Sequence, residues 1–238
     1  MTTNKRLVFF VMVLVVITAF AMGQDRSRPT SSNQEMSVEQ SYLQRSVELM
    51  IIREMSRSET RDMKLVALEY IGTAIEKGNT GDEVRNALEY LSMEGTRNIT
   101  RENGRLVNNY PDVRMKAATY LGQIGTREAK DALVNIVLAD NEPMVITEAI
   151  KSLATIGLNE RGETVEAIVW IVDRYDRLNP DNLLALSALE AFEKLAKASG
   201  SISPSAIQTV IRIADGNYVP SVRERARIAL NELRQYQR

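Results

Sequence analysis

The sequence predicts an all-α fold, a right-handed α-solenoid of about four helix pairs with a capping helix at each end. Three observations carry this expectation. With Met63, Val113, Val145, Leu184 and Val222 set as a common origin, the residue four places on is Ala67, Ala117, Ala149, Ala188 and Ala226. Eight places on stand Ile71, Leu121, Leu153, Phe192 and Leu230, so one apolar face recurs at helical spacing in five segments. The origins lie 50, 32, 39 and 38 residues apart, scattered around the length of a two-helix repeat. Composition agrees: 44% of residues are hydrophobic and only 5% aromatic, the balance of an Ala, Leu, Ile and Val core between helices, and no strand pattern of convincing length appears.

The elements follow in order. Lys5 and Arg6 precede an apolar run from Leu7 to Met22 broken only by Thr18, and Ala21-Met22-Gly23 places small residues before Gln24. Residues 1–23 therefore read as a secretory signal peptide cleaved after Gly23, which makes the protein periplasmic or secreted from a bacterium. Left uncleaved, the run would tether the protein to the membrane, although it falls short of the ~20 residues that span a bilayer comfortably. Residues 24–36 are polar and rich in Ser, Arg and Pro, a flexible leader, and residues 37–238 form the repeat domain.

Val38 to Ser56 reads as an N-terminal capping helix, with Val38, Tyr42, Val47, Met50, Ile51 and Met55 in register to cover the first repeat. Repeat one pairs Arg61–Glu76 with Thr80–Ser92, and Thr80-Gly81-Asp82-Glu83 has the form of a capping box. A polar insert from Gly95 to Tyr110, carrying Arg97, Arg101 and Arg105, lengthens the first interval and is expected to project from one face. Repeat two pairs Pro111–Ile124 with Arg127–Ala139, turning at Gly125; repeat three pairs Pro143–Ile156 with Glu163–Tyr175, turning at Gly157. Repeat four pairs Pro180–Ala198 with Pro204–Ala214, where Asn179 and Ser203 each precede a proline suited to a first helical turn. Pro220–Gln235, with a charged outer face, is the C-terminal cap.

The segment Pro111-Asp112-Val113-Arg114-Met115-Lys116-Ala117-Ala118-Thr119-Tyr120-Leu121-Gly122-Gln123-Ile124-Gly125 resembles the first helix of HEAT-like repeats of the phycobilisome-lyase type. Pro220-Ser221-Val222-Arg223-Glu224-Arg225-Ala226 repeats its opening. The resemblance covers roughly residues 60 to 236 and implies an α-solenoid used as a protein-binding scaffold. It also implies that Arg114 and Arg223 occupy the position whose side chain joins neighbouring repeats. In repeat three Ile146 stands there instead.

Chemistry is restricted by what is missing. The chain has no histidine and no cysteine, which removes Ser-His and Cys-His nucleophile pairs and His- or Cys-based metal sites. The sequence-based expectation is therefore that the protein is not an enzyme and uses no cofactor and no metal. An envelope-polymer enzyme would need two close carboxylates, and pairs such as Glu163 with Glu166 read as solvated helix faces. With 30 basic against 31 acidic residues, no nucleic-acid partner is expected.

Second helices of such repeats line the concave surface, and rotation at 100° per residue gives what each turns away from the core. Trp170, the only tryptophan, points away from Val165, Ile168, Val169 and Val172 and shares its side with Glu166 and Asp173. The same rotation gives Arg85 and Glu89 in repeat one, Arg127 and Asp131 in repeat two, and Arg212 in repeat four. These residues are the expected protein-binding groove, with Trp170 as its anchor and another envelope or periplasmic protein as its partner. The leading function class is a periplasmic scaffold or assembly factor; the alternative is a structural component docked permanently in an envelope-spanning complex.

Overall fold

A computed structural model describes residues 38–237; the signal and leader expected at residues 1–36 lie outside them. Contacts between Cα atoms divide the chain into Met1–Ser41, of which only the first turn of one helix is described, and a compact unit from Tyr42 onward. Among the described residues there are ten α-helices: α1 (Val38–Ser56), α2 (Arg61–Glu76), α3 (Asp82–Ser92), α4 (Pro111–Ile124), α5 (Arg127–Ala139), α6 (Pro143–Ile156), α7 (Glu163–Leu178), α8 (Asn182–Ser199), α9 (Pro204–Asp215) and α10 (Pro220–Leu233). None of the described helices is long and apolar enough to cross a membrane.

The unit is a two-layer stack, the all-α solenoid that the repeats predict. First helices α2, α4, α6, α8 and α10 each pack on the next, and second helices α3, α5, α7 and α9 do the same behind them. The repeated alanines explain the close first layer: Ala67, Ala117, Ala149, Ala188 and Ala226 are fully buried at the helix contacts, where a larger side chain would hold the axes apart. Gly122 extends this, because a Cβ there would stand 2.6 Å from Oγ of Ser152 on α6. Helix starts follow capping chemistry. Thr126 accepts from the Ala129 amide, Asp181 from Leu183 and Leu184, and Ser203 from Ala206. Gly125 and Gly157 close α4 and α6 in left-handed conformation.

Several helix boundaries differ from the sequence reading. Gly81, not Thr80, is the N-cap of α3 and no side chain caps it, so the expected capping box is not formed. Helix α8 starts at Asn182 under Asp181 rather than at Pro180 under Asn179, because Asp181 satisfies two amides at once. Helix α7 runs on to Leu178, and α10 ends at Leu233 in a 3₁₀ turn over Arg234–Tyr236. The capping helix turns only part of its expected face inward. Met55 packs on the core as expected, beside Leu49 and the buried Ile52, whereas Val38, Tyr42, Val47 and Met50 are exposed. This helix carries two apolar stripes, and the one through Ile52 is the one used.

The insert is not an open loop. Arg101–Glu102 (β1) and Arg105–Leu106 (β2) pair antiparallel around Asn103-Gly104, both at positive φ (49° and 79°), the two-residue turn whose twist suits a hairpin.

Candidate protein-binding surface

Each second helix buries a broad apolar half and leaves a polar strip outward. On α7 the buried side is Val165, Ile168, Val169 and Val172, which leaves Trp170 45% exposed. The guanidinium of Arg174, one helical turn on, lies over the indole at 5.6 Å, a cation–π contact that fixes the ring. Arg174 in turn donates to Asn141 Oδ1 at 2.8 Å, after α5, and the Tyr175 hydroxyl donates to the Asn141 carbonyl at 3.0 Å. The exposed ring is therefore held from the neighbouring repeat.

Of the other predicted groove residues, Arg85, Arg127, Glu166, Asp173 and Arg212 are drawn into bonds between repeats, whereas Glu89 and Asp131 pair within their own helices. Arg127 meets Glu160 at 2.5 Å; Lys130 Nζ meets both Asp131, at 2.7 Å, and Glu163. Glu166 accepts from the Ser205 hydroxyl at 2.5 Å, and Asp173 accepts from Thr209 at 3.2 Å and from Arg212. Arg85 meets Asp82 at 3.1 Å and lies 3.7 Å from Glu89 and 3.8 Å from Glu128. The surface is a ladder of opposite charges rung across α3, α5, α7 and α9, with Trp170 as its exposed ring. The hydrogen bond from Lys130 holds the Glu163 carboxyl below the usual range, against the opposing effect of burial. Lys130 is raised: burial works to lower it, and the bonds to Asp131 and Glu163 together outweigh that.

Arg85, Glu89 and Asp131 come together with the base of the insert. They line a cleft of about 490 Å³ together with Tyr90, Met93, Ala132, Arg97 and Asn98. The insert is fastened there by a buried polar network that sequence reasoning missed. Lys64, 2% exposed, donates to Glu94 at 3.0 Å and to the Ser56 carbonyl at 3.2 Å. Asn108 donates to Glu94 at 2.7 Å and accepts from the Thr100 amide at 2.8 Å. Arg114, 1% exposed, donates twice to Asp140, at 2.6 and 3.1 Å, and once each to the Glu94 carbonyl and Asn109 Oδ1. Its fork thus joins the insert, α4 and the end of α5, the joining role that the resemblance implies. The hairpin also escapes the sequence reading, although Asn103-Gly104 is a dipeptide that marks such turns.

These features define an all-α solenoid of stacked helix pairs, part of which carries HEAT-like repeats. Residues 105–189 match the family profile for HEAT repeats. Among solved structures the chain is similar to the complex of CpcE and CpcF of phycocyanin lyase from Nostoc sp. PCC7120, at 17% identity and a TM-score of 0.53, over 90% of this chain and 71% of that one. No curated protein sequence matches it. Repeats of this kind suggest a protein-interaction scaffold. The expectation that the chain is not an enzyme is overturned by the same likeness. The similar structure is of a lyase, so this fold serves an enzyme, and neither the fold nor the lack of His and Cys supports a non-enzyme.

Proposed function

We propose that this chain is an exported bacterial scaffold, delivered to the periplasm by cleavage after Gly23, that holds a helix or extended segment of another envelope protein against its second-helix surface. The observation that carries this reading is Trp170, a large aromatic left 45% exposed in a charged rim and held in place by Arg174. Aromatic anchors ringed by polar groups dominate binding energy at protein interfaces. Glu166, Asp173, Arg212, Arg127 and Asp131 form the rim, and the cleft beside Arg85 and Glu89 extends the surface toward the insert.

The test is in-cell crosslinking followed by mass spectrometry, with wild type and Trp170→Glu at matched levels and fractionation to follow export. One set of envelope proteins lost in the folded variant is the expected result, and with a purified partner Trp170→Ala costs ~2 kcal/mol or more of binding. An unchanged partner set, or retention in the cytoplasm, defeats the proposal.

A further inference from the structure

Arg223 repeats Arg114 in sequence but not in bonding. Each stands three residues after the proline that opens its helix, in Pro111-Asp112-Val113-Arg114 and Pro220-Ser221-Val222-Arg223. Arg114 meets Asp140 at the C-cap of the second helix α5 through both arms of its fork. Arg223 meets no acceptor among the described residues, although its Nε is buried from solvent. A guanidinium partly withdrawn from water without a counter-charge is unfavourable, and an arriving carboxylate would relieve it.

The surroundings indicate what would arrive. Arg223, Arg227, Leu230 and Arg234 follow one another at intervals of four, three and four residues, which lays them along one stripe of α10 and the 3₁₀ turn after it. Arg227 and Arg234 are exposed and Leu230 is half-buried against the core. Glu224 pairs with Arg227 at 3.2 Å, with both side chains more than half exposed, so that pair is screened and easily exchanged. The stripe is cationic with an apolar floor.

We infer that this face of α10 is a second docking surface, taking from another protein a helix whose C-terminal end carries an acidic residue, with Arg223 supplying the counter-charge to that carboxylate, as Arg114 does for Asp140. A carboxylate is favoured over other anions because the matched residue Arg114 already takes one inside this molecule. The surface is separate from the Trp170 face, so either can fail alone.

The internal precedent supplies the probe: a labelled peptide of residues 127–142, which carries α5 and Asp140, titrated into the full chain and read by fluorescence anisotropy. Saturable binding is expected, weakened about tenfold by Arg223→Gln in the protein and about tenfold by Asp140→Asn in the peptide, while Trp170→Ala changes nothing. Circular dichroism of Arg223→Gln checks that the variant is folded; should it not be, Arg227→Gln with Arg234→Gln carries the same test. No saturable binding, or binding indifferent to these substitutions, overturns the inference. So does a chain that ignores the peptide but binds phosphatidylglycerol vesicles through Arg223, which would assign the stripe to a lipid surface.

Discussion

Replacing Arg114 with Ala removes a guanidinium that is 1% exposed and makes four hydrogen bonds, two of them to Asp140, itself 1% exposed. The carboxylate left behind keeps the amides of Asn141 and Glu142, at 2.8 and 2.9 Å, but loses its counter-charge. Removing one partner of a buried ion pair costs ~3–5 kcal/mol. The two retained amide bonds place Arg114→Ala near the lower end, at about 3 kcal/mol. For a domain near this size that corresponds to a fall in Tm of roughly 6–12 °C. Urea unfolding followed by circular dichroism measures the loss directly. The double change Arg114→Met with Asp140→Leu removes both charges together and is expected to recover more than half of it, because the uncompensated burial disappears. A loss below ~1 kcal/mol for Arg114→Ala, or a double variant no better than the single, would refute the view that this pair clamps the insert to repeat two.

Gly122→Val forces a side chain against Ser152, whose Cα stands 3.1 Å from a built Cβ, and should cost ~1–3 kcal/mol in the same unfolding assay. Asn108→Ala removes the bonds to Glu94 and the Thr100 amide; a loss of ~1–3 kcal/mol and faster hydrogen exchange at the Val107 amide, which bonds the Thr100 carbonyl, are expected. Glu163 is held below its ordinary pKa in the folded chain, chiefly by Lys130, so its contribution to stability is complete above the unfolded carboxyl value and is lost as pH falls through the lower folded value. Glu163→Gln should therefore be less stable than wild type by ~0.5–1 kcal/mol at pH 7, with the gap closing below about pH 4; a gap that is constant down to pH 2 would count against the assignment.

The fold was legible because alanine at one helical position in five segments is a packing statement: it specifies where backbones approach, and all five are fully buried. The first helix was misread for the complementary reason. Its two apolar stripes, one through Ile52 and one through Val47 and Met50, are equivalent to a periodicity argument, and only the packing of the neighbouring helices chooses between them. The rotation that brought out Trp170 worked because a second helix buries more than half its circumference, leaving few angles for an exposed ring. The same rotation could not foresee that Glu166 and Asp173 would be engaged by Ser205 and Arg212, since those bonds cross between repeats of unequal length. Arg114 shows where such reasoning can still reach. A residue type that repeats in register, as Arg114 and Arg223 do, implies a repeated partner; the partner Asp140 lies 26 residues away at a helix end, where no local pattern marks it. The corresponding partner of Arg223 is absent from the described residues, and that inequality between two otherwise matched positions gives the C-terminal face a reading distinct from that of a plain polar cap.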